Sequence, residues 1–466
     1  MTSTFADAAS PETNRELRVS IVGGGASGVL TAVNLLADPD PRIRVTIHES
    51  GPVLGAGIAY GTTDPRHLLN VRARHMSAFP DTPSDLIDWY RATGRTIDPI
   101  TFLPRREYAE YLRDRLSDVA DDRLQVANGR VDDVVPTGSG YQLLSGDAVP
   151  TEADAVVLAY GNAAPAALTV DGDELPAEPW HVDNPWDLSW TEQLPPDAVI
   201  VLVGTGLTAI DTAITVLEGS PDRRVVMVSR HGLLPAAHVE QQSTAWVSPV
   251  PQGPLTADQL ATFFEEQVAA AKRQDVDWRA VVDGLRAPTQ SIWQRLDLAE
   301  RRRFLARYAR QWEIRRHRMA PDIAARMVEY RRDGRLQIAA GGITSFSERD
   351  GACLLRLGDD PQQVRADAVV NCTGPQTDIT RSDNPLLQSL RERSLIAPDA
   401  LRLGLDCLPA GQVLDPDGEV VPRMYAVGPP RKGTLYESTA IPEIRAQAAA
   451  VARALTAPQP VPSETP

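Results

Sequence analysis

Leu17-Arg18-Val19-Ser20-Ile21-Val22-Gly23-Gly24-Gly25-Ala26-Ser27-Gly28 passes from a short, β-rich apolar run into a glycine cluster, and residues 26–37 then carry the apolar spacing of a helix. Strand, tight turn and helix in that order form a dinucleotide fingerprint. Gly23 permits the turn, Gly25 lets the main chain approach a pyrophosphate, and Gly28 lets the helix pack on the strand. Ala26 and Ser27 then sit at the positive helix N-terminus where the phosphates belong. A second strand, Ile43-Arg44-Val45-Thr46-Ile47, runs into His48-Glu49. Glu49 stands close to the roughly 20-residue spacing expected of a carboxylate that holds a ribose hydroxyl.

The pattern occurs again. Ala198-Val199-Ile200-Val201-Leu202-Val203 leads into Gly204-Thr205-Gly206-Leu207-Thr208-Ala209, with Ala209 at the third glycine position. The following strand, Arg224-Val225-Val226-Met227-Val228, ends in Ser229-Arg230-His231 where an NAD site carries an acid. A hydroxyl, a guanidinium and an imidazole suit a 2'-phosphate, so the second nucleotide is expected to be NADPH. The alternative for Arg230 is a solvated residue at a strand end.

The chain has 466 residues, 42% hydrophobic and 23% charged, enough for two or three domains with sizeable cores. No apolar window reaches membrane-span length, and MTSTFADAASPETNRE has acids and no apolar core, so a soluble, cytoplasmic protein without signal peptide is expected. A net charge of -15 weighs against nucleic-acid and membrane partners. The runs Arg301-Arg302-Arg303 and Arg315-Arg316-His317-Arg318 lie in a helical, acid-containing stretch and read mainly as a solvated or salt-bridged face. Cys353, Cys372 and Cys407 are far apart, which excludes the disulfide reductases that also carry two dinucleotide folds. No histidine spacing suits a metal, and none is expected.

Residues 153–161, ADAVVLAYG, and 366–374, ADAVVNCTG, are near repeats, each following one fingerprint and each ending in glycine, Gly161 and Gly374. This points to internal duplication, with the glycines at domain crossings. Residues 256–334 read as a helical insertion, and the tail 456–466 as a disordered proline-rich segment. The expected class is α/β, with two Rossmann-like dinucleotide-binding domains and that insertion. The expected division is 1–165 with 375–466, and 166–374 including the insertion.

This arrangement resembles the two-dinucleotide-domain flavin monooxygenases, the group that includes N-hydroxylating and Baeyer–Villiger enzymes, and more closely the FAD-NAD(P)-binding proteins related to them. The motifs that carry the resemblance are both fingerprints, Gly161, Gly374 and the closing Met424-Tyr425-Ala426-Val427-Gly428. It implies FAD in the first domain and NADPH in the second. It further implies that Gly428 returns the chain to the flavin, that the helix start at Ala440 and Ile441 lies near the flavin ring, and that the loop carrying Asn70 and Met76 lines it. Three departures stand out. Tyr160 precedes Gly161 where threonine or serine is usual, and Pro429 follows Gly428 where many FAD proteins carry an acid. Trp180-His181-Val182-Asp183-Asn184-Pro185-Trp186 replaces the usual aromatic-glycine-histidine-aromatic signature, which weighs against Baeyer–Villiger chemistry.

The resemblance implies an oxidoreductase in which FAD reduced by NADPH forms a C4a-hydroperoxyflavin and passes oxygen to a small nucleophilic substrate, an amine before others. Molecular oxygen and that small molecule are the expected partners. Two readings stay open beside it, an NADPH-dependent flavin reductase or electron-transfer flavoprotein and a nucleotide-binding sensor. No catalytic base is assigned, Arg72 and Arg105 are further candidates for shaping the pocket, and the oligomeric state, homo-oligomer included, stays open.

Overall fold

A computed structural model describes residues 15–241 and 244–457; the readings on the N-terminal segment and on most of the proline-rich tail fall outside them. Two sheets organise the chain. The first runs in the order Gln412–Leu414, Val420–Ala426, Ala155–Leu158, Leu17–Val22, Ile43–Glu49 and Leu124–Asn128. All its neighbours are parallel except the Gln412–Leu414 edge. The second, parallel throughout, runs His181–Val182, Ala368–Asn371, Val199–Val203, Arg224–Ser229 and Leu336–Ala340.

The same local solution is built twice. The strand of each near repeat pairs directly with its fingerprint strand, Ala155–Leu158 with Val19–Val22 and Ala368–Asn371 with Ile200–Val203. The acid before each strand fixes the register. Asp154 Oδ2 accepts from the Arg18 N–H and Asp367 Oδ2 from the Val199 N–H, both at 2.8 Å. A three-stranded antiparallel meander precedes each repeat strand, at Asp133–Ala153 and at Ile343–Ala366, and neither was legible in the sequence.

Both fingerprint strands read as continuous apolar runs because both faces are covered. Val19, Ile21, Ile200 and Leu202 are at most 1% exposed. The helices Ala26–Leu36 and Leu207–Gly219 follow directly, with Gly25 and Gly206 as N-caps that offer no side-chain hydrogen bond. Between Arg224–Ser229 and Leu336–Ala340 the described residues form six helices, Ala257–Arg273, Trp278–Leu285, Thr289–Arg295, Leu298–Arg307, Ala309–Arg316 and Pro321–Arg332. A capping box at Thr256 and Gln259 starts the first of them. Arg316 and Arg318 are only 6% and 3% exposed, so of the two alternatives, solvated or salt-bridged, this cluster is the salt-bridged one and is buried in part. Arg316 lies 3.4 Å from Glu437, and Arg318 pairs with Asp283.

Among the described residues no helix is long and apolar enough to cross a membrane. His48 is 3% exposed inside the first sheet, and burial pushes its imidazole down to about 4. The unfolded chain protonates that group near 6.5. Between pH 6.5 and 4 the unfolded state therefore binds the extra proton, and stability falls as pH falls. Urea titrations of wild type and His48→Gln across this window should show the variant losing less stability, by up to about 1 kcal/mol per pH unit. Equal slopes would count against a buried neutral His48.

Candidate active site between the two fingerprints

The first turn is shaped by backbone crowding. Gly23 has φ +105°, and a Cβ there would stand 2.5 Å from the Ala159 carbonyl oxygen. A Cβ on Gly28 would meet the Gly23 oxygen at 1.8 Å, so the helix sits on the turn at a distance that only glycine allows. Glu49 closes the site from the next strand end. Its Oε2 accepts from the Gly24 N–H at 2.8 Å and its Oε1 from the Gly51 N–H at 2.6 Å. Gly428, the end of the closing strand, packs over Ser27, and its N–H donates to Gln447 Oε1 at 2.9 Å.

The second turn repeats the crowding. Gly204 has φ +132°, with a Cβ position 2.2 Å from the Cys372 oxygen, whereas a Cβ on Gly206 would meet nothing within 4 Å. One glycine is thus required by packing and the other leaves space. Ala209 is fully buried and faces the core. Ser229 Oγ is 3.0 Å from Thr205 Oγ1 and accepts from the Gly232 N–H at 3.1 Å. Arg230 and His231 are exposed beside it.

These features fit dinucleotides. Two helix N-termini carry no side-chain cap and no acid in the first turn, so their free N–H groups and dipoles suit phosphate. Glycine leaves room at Gly206, and a carboxylate stands at the first turn and not at the second.

A cavity of about 500 Å³ joins the two halves. Asn70, Met76, Ala440 and Ile441 line it from the first half, and Gly206, Leu207 and Thr208 from the second. Gly57, also in its wall, approaches Gly25 closely enough that a Cβ on either would lie within 3.4 Å of the other's Cα. The helix Ile441–Thr456 begins here, with Ala440 as N-cap and Pro442 in the first turn. Gly23, Gly28, Gly204 and Ala209 are packing positions outside this cavity, and Ser229, Arg230 and His231 stand at the far end of the second fingerprint. Gly161, at φ +74°, and Gly374, at φ +96°, begin two crossings that run side by side, bridged at Pro165 and Pro375.

Several lining residues were not anticipated. Arg310, Glu313, Ile314 and His317 face the cavity from one side of the helix Ala309–Arg316 and its C-cap. Their spacing of i, i+3, i+4 and i+7 was the available signal. Arg310 donates to Thr205 Oγ1 at 3.0 Å and to the Leu233 carbonyl, which places a guanidinium on the second fingerprint turn. Glu313 lies 3.9 Å from Lys432. Burial lowers His317 and pushes the Tyr60 phenol up to about 12, so Tyr60 serves as a neutral hydroxyl in the wall.

Of the two arginine candidates, Arg105 stands in the cavity wall and Arg72 is structural. Arg105 pairs with Asp211 at 3.0 Å, tying the start of the helix Arg105–Val119 to the second fingerprint helix. Arg72 is 3% exposed, donates to the Ile100, Val239 and Glu240 carbonyls, and stacks on Phe102 at 5.0 Å. It is not in the cavity wall. His67 works in the same way, with Nε2 2.8 Å from Thr215 Oγ1 and 2.9 Å from the Asp211 carbonyl.

Behind the Ile441 helix start lies a buried ionic cluster. Arg286 engages both Glu443 oxygens, at 2.7 and 2.9 Å, and Arg316 reaches Glu437 and Glu443 at 3.4 and 3.6 Å. The helical insertion thereby fixes the segment that lines the cavity.

The sequence profile of the FAD-NAD(P)-binding family matches residues 20–163. Monooxygenase ptmN from Penicillium ochrochloron is 26% identical over 231 residues, 47% of this chain and 35% of that protein. The chain thus spans about a third of the length of the curated relatives it matches. Among solved structures, the ornithine hydroxylase PvdA from Pseudomonas aeruginosa aligns with TM-score 0.63 and 17% identity, over 95% of this chain and 98% of that one. The FAD-bound cadaverine monooxygenase DfoA from Erwinia amylovora aligns with TM-score 0.63 and 13% identity, over 95% of each chain. Residues 20–163 match an FAD-NAD(P)-binding domain, and the chain as a whole shares the two-dinucleotide-domain fold of these two solved enzymes.

Proposed function

We propose that this chain is an FAD- and NADPH-dependent monooxygenase acting on a small nucleophilic substrate, with N-hydroxylation of an amine as the specific reaction. The observation that carries it is the cavity lined by both fingerprint halves, with Ala440 and Ile441 on one side and Gly206, Leu207 and Thr208 on the other. On this reading residues 1–165 and 375–466 hold FAD and residues 166–374 hold NADPH. Two nucleotides bound at the two turns would extend their redox ends into the same space. FAD and NADPH, when bound, would supply the reducing equivalents and the oxygen activation.

The protein's own groups then have definite tasks. Gly25, Ala26 and Ser27 cradle the first pyrophosphate on a turn that Gly23 and Gly28 shape by packing, and Glu49 takes its ribose. Gly428 brings the closing strand onto that turn, Asn70 and Met76 shape the ring pocket, and Gly161 carries the crossing past it. Gly206, Leu207 and Thr208 form the second cradle, on a turn and helix that Gly204 and Ala209 hold in place by packing. Ser229, Arg230 and His231 take the 2'-phosphate, with Arg310 adding charge at the turn. Of the two carboxylates in the wall, Asp211 is paired with Arg105 at 3.0 Å, which leaves Glu313 as the one suited to a cationic amine. The solved relatives named for ornithine and cadaverine support an amine.

The two turn glycines should separate by phenotype. Gly204→Ala meets a carbonyl at φ +132° and should lose stability by about 1–3 kcal/mol in urea. Gly206→Ala, in open space, should keep stability within about 0.5 kcal/mol but weaken NADP binding about tenfold by calorimetry. Equal melting and equal affinity in both variants would contradict the division.

Arg310→Gln should raise the NADPH dissociation constant about tenfold, with a smaller effect on FAD retention. Loss of FAD with intact NADPH affinity would move Arg310 to the other nucleotide.

Turnover decides the reaction class. Ornithine, lysine and cadaverine are supplied with NADPH and oxygen, while hydroxylamine product and hydrogen peroxide are both counted. Hydroxylamine matching NADPH consumption with one amine supports the proposal, and Glu313→Gln should then raise KM for that amine about tenfold. Peroxide equal to NADPH with every nucleophile tried would favour a flavin reductase.

A further inference from the structure

Arg310, Glu313 and His317 line the cavity between the fingerprints from one face of the helix Ala309–Arg316 and its C-cap. The opposite face, with Gln311, Trp312 and Arg315, lines a separate apolar chamber of about 690 Å³ within the insertion. Seven residues of helix rise about 10 Å, so the row of three crosses the cavity. At one end Arg310 is tied to the second fingerprint turn through Thr205 Oγ1 and the Leu233 carbonyl. At the other end His317 feels the charges of Lys432 and Glu437, in the stretch that leads to the Ile441 helix start.

His317 is the member of this row with free hydrogen-bonding capacity. Arg310 is bonded, and Glu313 lies 3.9 Å from Lys432, whereas the His317 ring makes no hydrogen bond to a described residue. His67, the other histidine in the wall, has both ring nitrogens engaged, Nδ1 at 2.8 Å from Thr62 Oγ1 and Nε2 at 2.8 Å from Thr215 Oγ1. The charged groups acting on the His317 ring are Glu313 and Arg316 from its own helix, Lys432 from the helix Lys432–Leu435, and Glu437 just beyond it. Burial outweighs them and holds the imidazole below its usual range, so the ring is neutral at pH 7 and keeps a lone pair for whatever the cavity holds.

We infer that His317 is the base that takes a proton from the substrate's ammonium group, which Glu313 receives one helical turn away. The inference rests on the amine monooxygenase reading. An aliphatic amine titrates near about 10.4 and enters protonated, without the lone pair that must form the N–O bond. Side chains one turn apart on a helix face stand about 5–6 Å from each other, which puts an ammonium held by Glu313 within reach of the ring. The transfer breaks one N–H bond of the ammonium, leaves its electron pair on the amine nitrogen, and forms one N–H bond on the imidazole. Two wall charges draw the acidities together. Lys432 opposes a second cation beside it and makes the ammonium more acidic, while the buried carboxylate of Glu437, 3% exposed, favours the imidazolium. A carboxylate, with a reference value of about 4.3, is the weaker base, so Glu313 anchors the amine and His317 deprotonates it.

The test uses the full-length, FAD-loaded protein with NADPH, oxygen and the one of ornithine, lysine and cadaverine that the wild type hydroxylates best. Hydroxylamine formed per NADPH consumed is followed from pH 5.5 to 9.5. In the wild type this ratio should hold from pH 8 down to 6.5, where the base is still neutral. In His317→Gln it should fall about a hundredfold at pH 7, with hydrogen peroxide in place of product. It should then recover to within about twofold of wild type at pH 9.5, where the amine loses its proton unaided, and added imidazole should restore product at pH 7. A merely structural histidine would give neither recovery. An unchanged ratio in the variant, or a loss that neither alkaline pH nor imidazole repairs, would overturn the inference. So would a loss of bound FAD or of NADP affinity large enough to account for the fall. Should His317→Gln fail to fold, His317→Asn is read in the same way. Hydrogen peroxide alone from the wild type with all three amines would end the monooxygenase reading and this inference with it, whereas failure in the variant alone ends only the role of His317.

Discussion

Everything in this chain hangs on one close approach, made twice: the first glycine of a fingerprint turn against the carbonyl at the end of the neighbouring parallel strand. At Gly23 the carbonyl belongs to Ala159, and at Gly204 it belongs to Cys372. Each glycine N–H is also bonded to the next strand, at His48 and Val228. A turn pinned on both sides can only release its helix in one direction, which leaves the helix N-terminus open beyond the strand ends. Asp154 and Asp367 secure the other end of the same strands. The duplication is therefore one of physical constraint, acid, strand, carbonyl and glycine, rather than of composition alone.

Two such units do not by themselves make a shared cavity. That is achieved by the links between them. Arg105 to Asp211 and His67 to Thr215 hold the loop after the first ribose strand against the second fingerprint helix. The ionic cluster of Arg286, Arg316, Glu437 and Glu443 holds the helical insertion against the Ile441 helix start. Buried ion pairs of this kind add little net stability but fix geometry, because each partner is costly to leave alone. The result is a wall, the helix Ala309–Arg316, that serves a cavity on either side.

The central strands of both sheets were legible because buried parallel strands read as apolar runs and because glycine at a turn leaves a sequence signature, whereas the outer strands Leu124–Asn128, Gln412–Leu414, His181–Val182 and Leu336–Ala340 were not. The near repeats at 153–161 and 366–374 were visible for the same reason. What stayed hidden depended on distant partners. Arg316 sits in a charge-rich helix and looks solvated until Glu437, far along the chain, is brought beside it. Arg72 looks like a pocket cation but is spent on main-chain carbonyls. Arg310 and Glu313 were missed because a helix with polar residues on several sides does not announce which face is enclosed.

The central claim is that the two nucleotide sites open into one cavity, and direct transfer between the nucleotides tests it. FAD-loaded protein is mixed without oxygen against saturating NADPH, unlabelled or deuterated at either face of nicotinamide C4, and the flavin absorbance is followed. Bleaching that deuterium slows on one face only is the predicted result. Tight NADPH binding with no bleaching of the flavin would mean that the two sites do not meet, and would contradict the account.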